Sequence, residues 1–296
     1  MKKLMIFGGS GFVGGNLAKA AQQKGWEVYI IDSFYRAGVN SAQWKIADIT
    51  DKASVDSVMD EIGPDAVVNV AAIADIDKAD KDRELAWKVN VDGAKYIAES
   101  CASRNTKLIF FSSDAVFDGK SQDYTEGDKT DPVNFYGITK MEAEKAVLLA
   151  HSDAVIIRIS LVVGFPVTGG NSFLAGLENK LRAGNEIYCS GNEVRTPIDV
   201  LTLCECVLEL AEGSYSGVLH LGSLNSIDRY ELTRKFAGLM DFDEKLVKLQ
   251  MTLEDDTGRV PRHKNGIINV AKAQEILKTK LLNVDESILR AIKTRQ

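Results

Sequence analysis

The sequence of 296 residues contains only four cysteines and five prolines, and neither residue type forms a cluster. The cysteines, at positions 101, 189, 204 and 206, are too few and too scattered for a disulfide framework in a chain of this length. Cys204 and Cys206 lie two residues apart in a predicted helix, so their thiols point to different faces and not to one metal ion. Because the prolines are dispersed and no repeat or low-complexity tract occurs, we expect a compact fold throughout.

Histidines and long apolar runs are scarce as well. The three histidines show no metal-ligand spacing, and we therefore predict no metal site. The apolar run at residues 4–8 is broken at once by glycines and is much shorter than a signal-peptide core or a membrane span. We therefore expect a cytoplasmic protein with no membrane partner. The net charge of −6 argues against a nucleic-acid partner, which would require a basic surface.

The first half of the chain alternates short β-rich apolar runs with helical stretches, a pattern typical of βαβ units. Between the runs lie amphipathic segments, such as residues 51–61, with apolar side chains at three-to-four spacing. The sequence therefore predicts the α/β class, with a Rossmann-type doubly wound parallel sheet. The predicted strands are residues 4–8, 27–32, 66–70, 107–113 and 154–160.

The alternation of strands and helices weakens after residue 160, where a glycine-rich loop begins. This change indicates a smaller, interleaved C-terminal substrate lobe and not a second independent domain. We predict a dinucleotide-binding Rossmann domain at residues 1–160, rejoined by about 192–215. The smaller substrate-binding lobe would then comprise residues 161–191 and 216–296.

A glycine-rich loop follows the first predicted strand and opens the first helix. Gly8 and Gly11 allow a tight turn and close approach to a pyrophosphate, and Gly14 allows the helix to pack against the strand. The helix N-terminus adds free N–H groups and the positive end of a dipole. This context favours a dinucleotide site. The loop residues predicted to bind the cofactor are Gly8, Ser10, Gly11, Phe12, Val13 and Gly14.

An acid stands where the second predicted strand ends, eighteen residues beyond Gly14. The carboxylate of Asp32, followed by Ser33, can accept hydrogen bonds from the adenosine ribose hydroxyls and would repel a 2′-phosphate. This favours NAD(H) and leaves NADP(H) open, and Asp32 as a cap or turn residue is the alternative. Asp48 and Ile49 end another predicted strand, where Asp48 either contacts the adenine amine or serves as a turn residue.

A serine, a tyrosine and a lysine form the predicted catalytic set. Ser113 ends a predicted strand at the carboxyl edge of the sheet, where its hydroxyl can hold a substrate carbonyl. Tyr136 and Lys140 are four residues apart at the start of a helix, so they share one face. We expect the ammonium to lower the tyrosine pKa from about 10 towards neutrality, so that Tyr136 can give or take a proton. A surface tyrosine lying over a lysine stem is the alternative.

With these motifs in place, the chain from residue 1 to about residue 200 resembles an extended short-chain dehydrogenase/reductase. The strings FFSSDAVFDG, YTEGDKTDPVNFYGITKMEAE and IIRISLVVG are similar to the dTDP-4-dehydrorhamnose reductase family. The resemblance implies that Ser113 stands at the family's threonine or serine position, that Tyr136 is the proton donor, and that Lys140 also binds the nicotinamide ribose. It further implies that Ala71 and Ala72 line the cofactor and that residues 114–119, beginning with Asp114, shape the substrate pocket.

By the same resemblance, the expected activity is NAD(P)H-dependent reduction of a keto group on a nucleotide-activated deoxysugar. Two departures leave the sugar open: residues 161–163 read LVV where the family has an aromatic Trp-Val-Tyr, and residues 73–75 read IAD in place of Ala-Tyr-Thr. Ala115 stands where the similar 4,6-dehydratases have glutamate, which disfavours dehydration. An NAD-dependent nucleotide-sugar epimerase stays open, as does a non-catalytic regulatory subunit like the similar β subunit of methionine adenosyltransferase.

The substrate contacts are predicted from scattered polar residues. Arg195, in the turn at residues 191–199, resembles an arginine that extended family members place near the substrate diphosphate, and Arg259 is a second candidate. For each arginine a solvated surface charge is the alternative. Asn171 either meets the sugar or closes a loop. Helices predicted at 83–104 and 133–150 would form the helix-bundle interface of a homodimer, or else serve the core of a monomer.

Overall fold

A seven-stranded parallel sheet forms the centre of the protein, as seen in a computed structural model. The structure describes residues 1–35, 42–168, 171–250, 260–293 and 295. The strands are β1 (Lys3–Phe7), β2 (Glu27–Asp32), β3 (Gln43–Ile46), β4 (Ala66–Asn69), β5 (Lys107–Ser113), β6 (Val155–Ile159), β7 (Val162–Val163), β8 (Ile187–Ser190), β9 (Val194–Arg195), β10 (Ile198–Asp199), β11 (Gly217–Leu221), β12 (Ile227–Asp228), β13 (Val247–Gln250) and β14 (Asn265–Gly266).

The strand order of the central sheet is β11-β6-β5-β4-β1-β2-β3, and each neighbouring pair is parallel. The chain first adds β2 and β3 on one side of β1. It then crosses back and adds β4, β5, β6 and β11 on the other side. The order therefore reverses between β1 and β4, and a crevice opens there at the carboxyl ends of the strands. The predicted α/β class and doubly wound parallel sheet are confirmed.

Helices cover both faces of the sheet. They are α1 (Phe12–Gln23), α2 (Lys52–Ile62), α3 (Ile76–Lys81), α4 (Arg83–Trp87), α5 (Gly93–Ser103), α6 (Phe135–Ala150), α7 (Phe173–Arg182), α8 (Val200–Glu212), α9 (Arg229–Leu239), α10 (Ala271–Ile276) and α11 (Val284–Lys293). In the described ranges, no helix is both long enough and apolar enough to cross a membrane.

Successive side chains of the central strands enter opposite apolar layers, as the two-residue period of a strand requires. In β1, Leu4 and Ile6 pack in one cluster with side chains of α1 and α8. Met5 and Phe7 pack in the other cluster with side chains of α2, α5 and α6. All four β1 residues are fully buried, so the strand reads as a continuous apolar run.

The predicted helix at 83–104 is interrupted. It consists of α4, a wide π-type turn at Lys88–Asp92 and α5. At the turn, the buried Asn90 side chain accepts from the Ile73 N–H at 2.8 Å and donates to the Thr139 hydroxyl at 3.0 Å. These long-range bonds fix the turn against α6 and the end of β4, which local sequence periodicity does not reveal.

A third apolar cluster lies in the C-terminal half and includes Leu174 of α7, Phe236 of α9 and Ile288 of α11. Short strand pairs, β10 with β7 and β13 with β8, frame this cluster. One strand differs from the prediction: β11, assigned by sequence to the lobe at 216–296, pairs with β6 at the edge of the central sheet. Its Leu219 and Leu221 are fully buried in the main core, which explains the placement. The division into domain and lobe stays a prediction.

Candidate active site

The glycine loop between β1 and α1 has no room for side chains at two positions. A Cβ at Gly8, whose φ is +79°, would lie 2.7 Å from the Ala71 backbone. A Cβ at Gly14 would lie 2.5 Å from the Gly8 carbonyl oxygen and 2.6 Å from Gly9 Cα. Helix α1 therefore begins in direct contact with the loop. This cradle suits a pyrophosphate, as the sequence predicts.

The Gly14→Ala substitution is expected to weaken dinucleotide binding. The added methyl group meets backbone atoms, and such overpacking costs about 1–3 kcal/mol, which corresponds to a loss of roughly 5- to 150-fold in affinity. Gly127→Ala is the matched control, because a Cβ there has no neighbour within 4 Å. Fluorescence titration of both variants with NADH measures the difference. Equal affinities for the two variants would contradict the importance of this contact.

Asp32 connects the end of β2 to the glycine loop. Its Oδ2 accepts a hydrogen bond from the Ser10 hydroxyl at 2.5 Å and one from the Ser10 N–H at 3.3 Å. Its Oδ1 accepts from the Ser33 N–H at 2.9 Å. A carboxylate offers about four acceptor sites, so ribose hydroxyls can still be accommodated. The Asp32 side chain caps neither α1 nor α2, which removes the cap alternative as its local role.

A cleft of about 440 Å³ lies beside this loop, at the carboxyl ends of the strands. We call it the glycine-loop cleft. It brings together most of the predicted cofactor residues: Gly8, Ser10, Gly11, Asp32, Ser33, Asp48, Ile49, Ala71 and Ala72. Phe12, Val13 and Gly14 do not line it, since they form the first turn of α1.

Sequence reasoning missed several cleft residues, among them Phe34, Ile73 and Val89. Phe34 is 48% exposed, and its position two residues after Asp32 was the only local signal for it. Val89 belongs to the wide turn Lys88–Asp92, which no sequence pattern predicted. Asp48 fits both of its predicted roles, because it lines the cleft and also accepts from the Thr50 N–H at 2.8 Å in a turn before α2.

Ser113 and Tyr136 lie near each other in the structure. Helix α6 begins beside the 3-10 turn Asp114–Val116, so closely that a Cβ at Gly137 would lie 2.1 Å from the Ala115 carbonyl oxygen. The Asn134 side chain caps the helix by accepting from the Gly137 N–H at 2.9 Å. This packing brings the Tyr136 phenol near the Ser113 hydroxyl, which lowers the phenol pKa.

The electrostatics of Tyr136 and Lys140 differ from the prediction. Burial raises the pKa of Tyr136 to about 12, although the hydrogen bond with Ser113 opposes the rise. The Lys140 ammonium donates to the Phe111 carbonyl at 2.8 Å, and burial lowers the pKa of Lys140 to about 8. The predicted lowering of the tyrosine pKa is therefore wrong for this state of the protein. A buried ammonium requires an acceptor, and a backbone carbonyl of β5 supplies it.

Beneath Lys140 lies a buried ion pair between α6 and β6. The Arg158 guanidinium donates to the two carboxylate oxygens of Glu144, from Nε at 2.9 Å and from Nη2 at 2.7 Å. The side chains are only 5% and 7% exposed. The Ser112 hydroxyl also donates to Glu144, and the Arg158 guanidinium stacks 5.1 Å from the centre of the Phe117 ring. The paired geometry fixes α6, and with it Tyr136, against the sheet.

Two predicted substrate residues are buried together. Asp114 accepts from the Ser160 hydroxyl at 2.7 Å, and its Oδ2 lies 3.6 Å from Arg195 Nε. Burial alone would raise the pKa of Asp114, but His263, Arg195 and Ser160 hold it at about 2. Arg195 also donates to the backbone carbonyls of Val194, His263 and Lys264, at 2.8, 3.0 and 3.0 Å respectively.

This placement corrects the expectation that Arg195 reaches a substrate diphosphate. Its side chain is 8% exposed, and its hydrogen bonds join β9 to residues 263 and 264. A loop arginine was expected to face solvent or ligand, but the packing of β9 beside β14 encloses it. The second candidate, Arg259, lies outside the described residues.

A second cavity, of about 540 Å³, lies between α7, β8 and the start of α9. We call it the α7 cavity. Asn171 lines it, as do Phe173, Lys180, Tyr188 and Arg229. The Arg229 guanidinium lies 4.6 Å from the centre of the Phe173 ring. Apart from Asn171, these residues were missed, because they come from three elements that only the fold brings together.

Comparison with known proteins places the whole chain in one family: the model described as RmlD substrate binding domain matches residues 1–296. The chain is 30% identical over 241 residues to the dTDP-4-dehydrorhamnose reductase of Mycobacterium tuberculosis, covering 79% of this chain and 74% of that protein. It is 31% identical over 214 residues to the probable low-salt glycan biosynthesis reductase Agl14 of Haloferax volcanii, covering 71% of each.

A solved structure shows the same architecture over nearly the full length. It is a dTDP-4-dehydrorhamnose reductase from Bacillus anthracis in complex with NADP, with a TM-score of 0.88 at 25% identity. The match covers 99% of each chain. The fold of this chain therefore occurs in a protein that was solved with NADP bound.

Proposed function

The chain belongs to the RmlD substrate binding domain family, and from this membership we propose that it reduces a keto group on a nucleotide-activated deoxysugar with a nicotinamide dinucleotide. The proximity of Ser113, at the end of β5, to Tyr136, at the start of α6, carries the proposal. Those two hydroxyls are the groups that a carbonyl reduction needs, one to orient the carbonyl oxygen and one to protonate it.

The glycine-loop cleft fits a dinucleotide. Gly8 and Gly14 leave the cradle that a Cβ would fill, and Asp32 stands where ribose hydroxyls would be held. Ala71 and Ala72 line the inner part of the cleft, towards the end of β4. When bound, the reduced nicotinamide supplies the hydride. Side chains of the protein orient the substrate carbonyl and supply the proton.

Tyr136 holds the proton for the substrate carbonyl. With a pKa raised to about 12, the phenol is protonated at neutral pH and can donate to an oxygen that gains negative charge. Ser113 positions that oxygen through its hydroxyl. Lys140 lies one helical turn further along α6. We propose that its ammonium contributes positive charge near the site and binds a ribose hydroxyl of the cofactor.

The α7 cavity is the site that we assign to the nucleotide part of the substrate. Phe173 and Tyr188 offer aromatic surface to a base, and Lys180 and Arg229 offer positive charge to a diphosphate. Asn171 adds an amide at the cavity wall. This assignment replaces Arg195 as the diphosphate contact. We propose that Asp114 acts on the site through its hydrogen bond with Ser113 and does not contact the sugar.

The wild-type protein is expected to prefer NADH to NADPH by about tenfold or more in kcat/KM, because the Asp32 carboxylate would lie near a 2′-phosphate. Asp32→Ala should reduce this ratio to within about threefold. Asp48→Asn is the matched control, since Asp48 lines the same cleft and should leave the ratio unchanged. Steady-state kinetics with both cofactors measure the ratio, and a wild-type preference for NADPH would overturn the role of Asp32.

The protein is further proposed to be a cytoplasmic homodimer that associates through α5 and α6. These helices pack against each other on one face of the sheet, and Leu149 at the end of α6 is 91% exposed. Leu149 therefore offers an exposed apolar side chain beside α5 and α6, which a helix-bundle interface would cover. Light scattering of the wild type and of Leu149→Glu distinguishes the dimer from a monomer.

The function itself is tested by following NADH and NADPH oxidation with a panel of nucleotide-linked 4-keto-6-deoxysugars. Turnover on one member of the panel supports the reductase. Cofactor binding without turnover on any member would favour the epimerase or the regulatory subunit. Failure to bind either dinucleotide would contradict the assignment of the glycine-loop cleft.

A further inference from the structure

A five-residue segment joins the two cavities. We call residues 164–168, which lie between β7 and α7, the strap. At its end, the Thr168 hydroxyl donates to the Ser10 carbonyl at 2.9 Å, and Ser10 lines the glycine-loop cleft. At its beginning, the Gly164 carbonyl accepts from the Ser172 hydroxyl at 2.7 Å, and Ser172 lines the α7 cavity. Each cavity therefore has a lining serine that bonds to the same short segment.

The strap lies directly on helix α1. The Asn16 side-chain amide donates to the Phe12 carbonyl at 2.9 Å, within the helix, and to the Phe165 carbonyl at 3.0 Å, on the strap. Asn16 is buried, so both bonds are shielded from water. A Cβ at Gly15 would lie 2.7 Å from Thr168 Cγ2, so glycine is needed where the strap crosses the helix. Asn16 fastens the strap to the helix, and Thr168 extends the attachment to the glycine loop itself.

The apolar side chains of the strap pack in two different clusters. Val167 packs against the cluster that contains side chains of α1 and α8. Phe165 packs against the third apolar cluster, which includes the buried side chains of α7, and its ring centre lies 6.4 Å from that of Phe236. The strap is therefore held between the core of the central sheet and the cluster that supports α7.

The strap also bonds to the first turn of α7. Ser172 caps this helix, because its Oγ accepts from the Ala175 N–H at 3.2 Å while the same hydroxyl donates to the Gly164 carbonyl. Phe173 and Gly176, in the same turn, line the α7 cavity beside Ser172. The position of this cavity wall therefore depends on the position of the strap.

These contacts connect the ordering of one cavity with the ordering of the other. A dinucleotide in the glycine-loop cleft would restrict the motion of the loop that carries Ser10. Through Thr168 the restriction reaches the strap, and through Gly164 it reaches the first turn of α7. A second ligand that enters the α7 cavity then has less motion left to restrict, so it binds more tightly. Linkage requires the effect to be mutual.

We propose that Thr168 is a positioning residue that couples dinucleotide binding in the glycine-loop cleft to binding of a nucleoside diphosphate group in the α7 cavity. The proposal rests on the proposed function, which assigns these two cavities to the cofactor and to the nucleotide part of the substrate. Its consequence is that hydride donor and acceptor occupy the protein together, as a reaction between two bound molecules requires. Thr168 is not among the described residues that line either cavity, so it acts through Ser10 and the strap.

Two substitutions of Thr168 test the role of its hydroxyl. Thr168→Val keeps nearly the shape of threonine but cannot donate to the Ser10 carbonyl, whereas Thr168→Ser keeps the donor. Calorimetry measures the dissociation constants of dTDP and UDP with and without saturating NADH or NADPH, whichever binds more tightly. In the wild type and in Thr168→Ser, we expect the dinucleotide to lower the nucleotide dissociation constant by about fivefold or more. In Thr168→Val, the two constants should agree within about twofold.

Thr279→Val is the matched control. It also removes the hydrogen bond of a threonine hydroxyl, which donates to Glu209 Oε2 at 2.8 Å, and neither residue is among the described residues that line the two cavities. Its ratio of dissociation constants should equal that of the wild type. A purely structural loss at Thr168 would weaken nucleotide binding equally with and without dinucleotide and leave the ratio unchanged. A wild-type ratio near one, or an unchanged ratio in Thr168→Val, would overturn the proposal.

Hydrogen exchange separates this proposal from the reductase itself. The N–H groups of Ala175 and Gly176 bond to the hydroxyl and carbonyl of Ser172, so their exchange reports opening of the first turn of α7. With saturating dinucleotide and no nucleotide, we expect these amides to exchange at least about threefold more slowly in the wild type and Thr168→Ser, but not in Thr168→Val.

If neither dTDP nor UDP binds, the assignment of the α7 cavity in the proposed function fails, and the exchange of these two amides alone decides whether the strap couples the cavities. Equal slowing in the wild type and Thr168→Val, or no slowing in the wild type, contradicts the role of Thr168.

Discussion

Replacing Tyr136 with phenylalanine is expected to lower kcat of the reduction by roughly 10²- to 10⁴-fold, the usual contribution of a positioned proton donor. The substitution removes the hydroxyl that lies near Ser113 at the start of α6. The ring stays in place, because Tyr136 is 9% exposed and packs with Ala79, Ala86 and Ala115. The dissociation constant for NADH should therefore stay within about twofold of wild type.

Tyr215→Phe is the control for the loss of a tyrosine hydroxyl. Its phenol donates to the Val218 carbonyl at 2.6 Å, near β11 and far along the sheet from β1. This variant should keep wild-type turnover. Stopped-flow measurement of a single turnover separates the chemical step from product release. If Tyr136→Phe keeps more than about a tenth of the wild-type rate of that step, another group donates the proton.

The second large effect is on stability. Arg158→Met should lower the free energy of unfolding by about 3–5 kcal/mol, because it leaves the Glu144 carboxylate buried without its partner. Glu144 would keep the Ser112 hydroxyl as a donor but lose both guanidinium bonds. The substitution also removes the contact between the guanidinium and the Phe117 ring. Urea unfolding followed by circular dichroism gives the difference.

Lys145→Met on the same helix is the matched control. Lys145 pairs with Glu142 at 2.8 Å, but the two side chains are 60% and 33% exposed, so this pair contributes less than about 1 kcal/mol. Adding Glu144→Leu to Arg158→Met should recover part of the loss, because it removes the unpaired charge. A loss below about 1 kcal/mol in Arg158→Met alone would show that water or another donor reaches Glu144.

The position of this ion pair connects stability with the proposed activity. Glu144 lies on α6 one turn beyond Lys140, and Arg158 holds it from β6. Helix α6 carries Tyr136 at its start and is capped by Asn134, which also bonds to the Pro261 carbonyl. Helix α6 is therefore held at its start by the bond of Asn134 to Pro261 and further along by the ion pair with β6.

Local patterns were sufficient for the central sheet. Two of the strands predicted for the first half, 27–32 and 107–113, match β2 and β5 at both ends, and the other three match β1, β4 and β6 to within one residue at each end. Each strand is buried on both faces, so its sequence is a continuous apolar run that no amphipathic helix imitates. The glycine loop was predictable for a similar reason, because close approach of two backbones admits only glycine at Gly8 and Gly14.

Long-range packing decided the rest of the fold. The placement of β11 at the sheet edge required the register with β6, which pairs Leu219 with Ile157. The wide turn at Lys88–Asp92 required Asn90 to bond with Ile73, which follows the end of β4, and with Thr139 on α6. Neither arrangement has a periodic signal in its own segment, because the stabilising partners are distant in sequence.

The sequence by itself determined five strands of the central sheet and the glycine loop, because each follows from the local geometry of one strand or one turn. Only the tertiary structure decided which partners the charged side chains have and how deeply they are buried. Lys140 turns to the Phe111 carbonyl, Arg195 is enclosed between β9 and residues 263–264, and Asp114 meets His263. The energy of a charged group depends on burial and on partners from other elements, and a sequence pattern specifies neither.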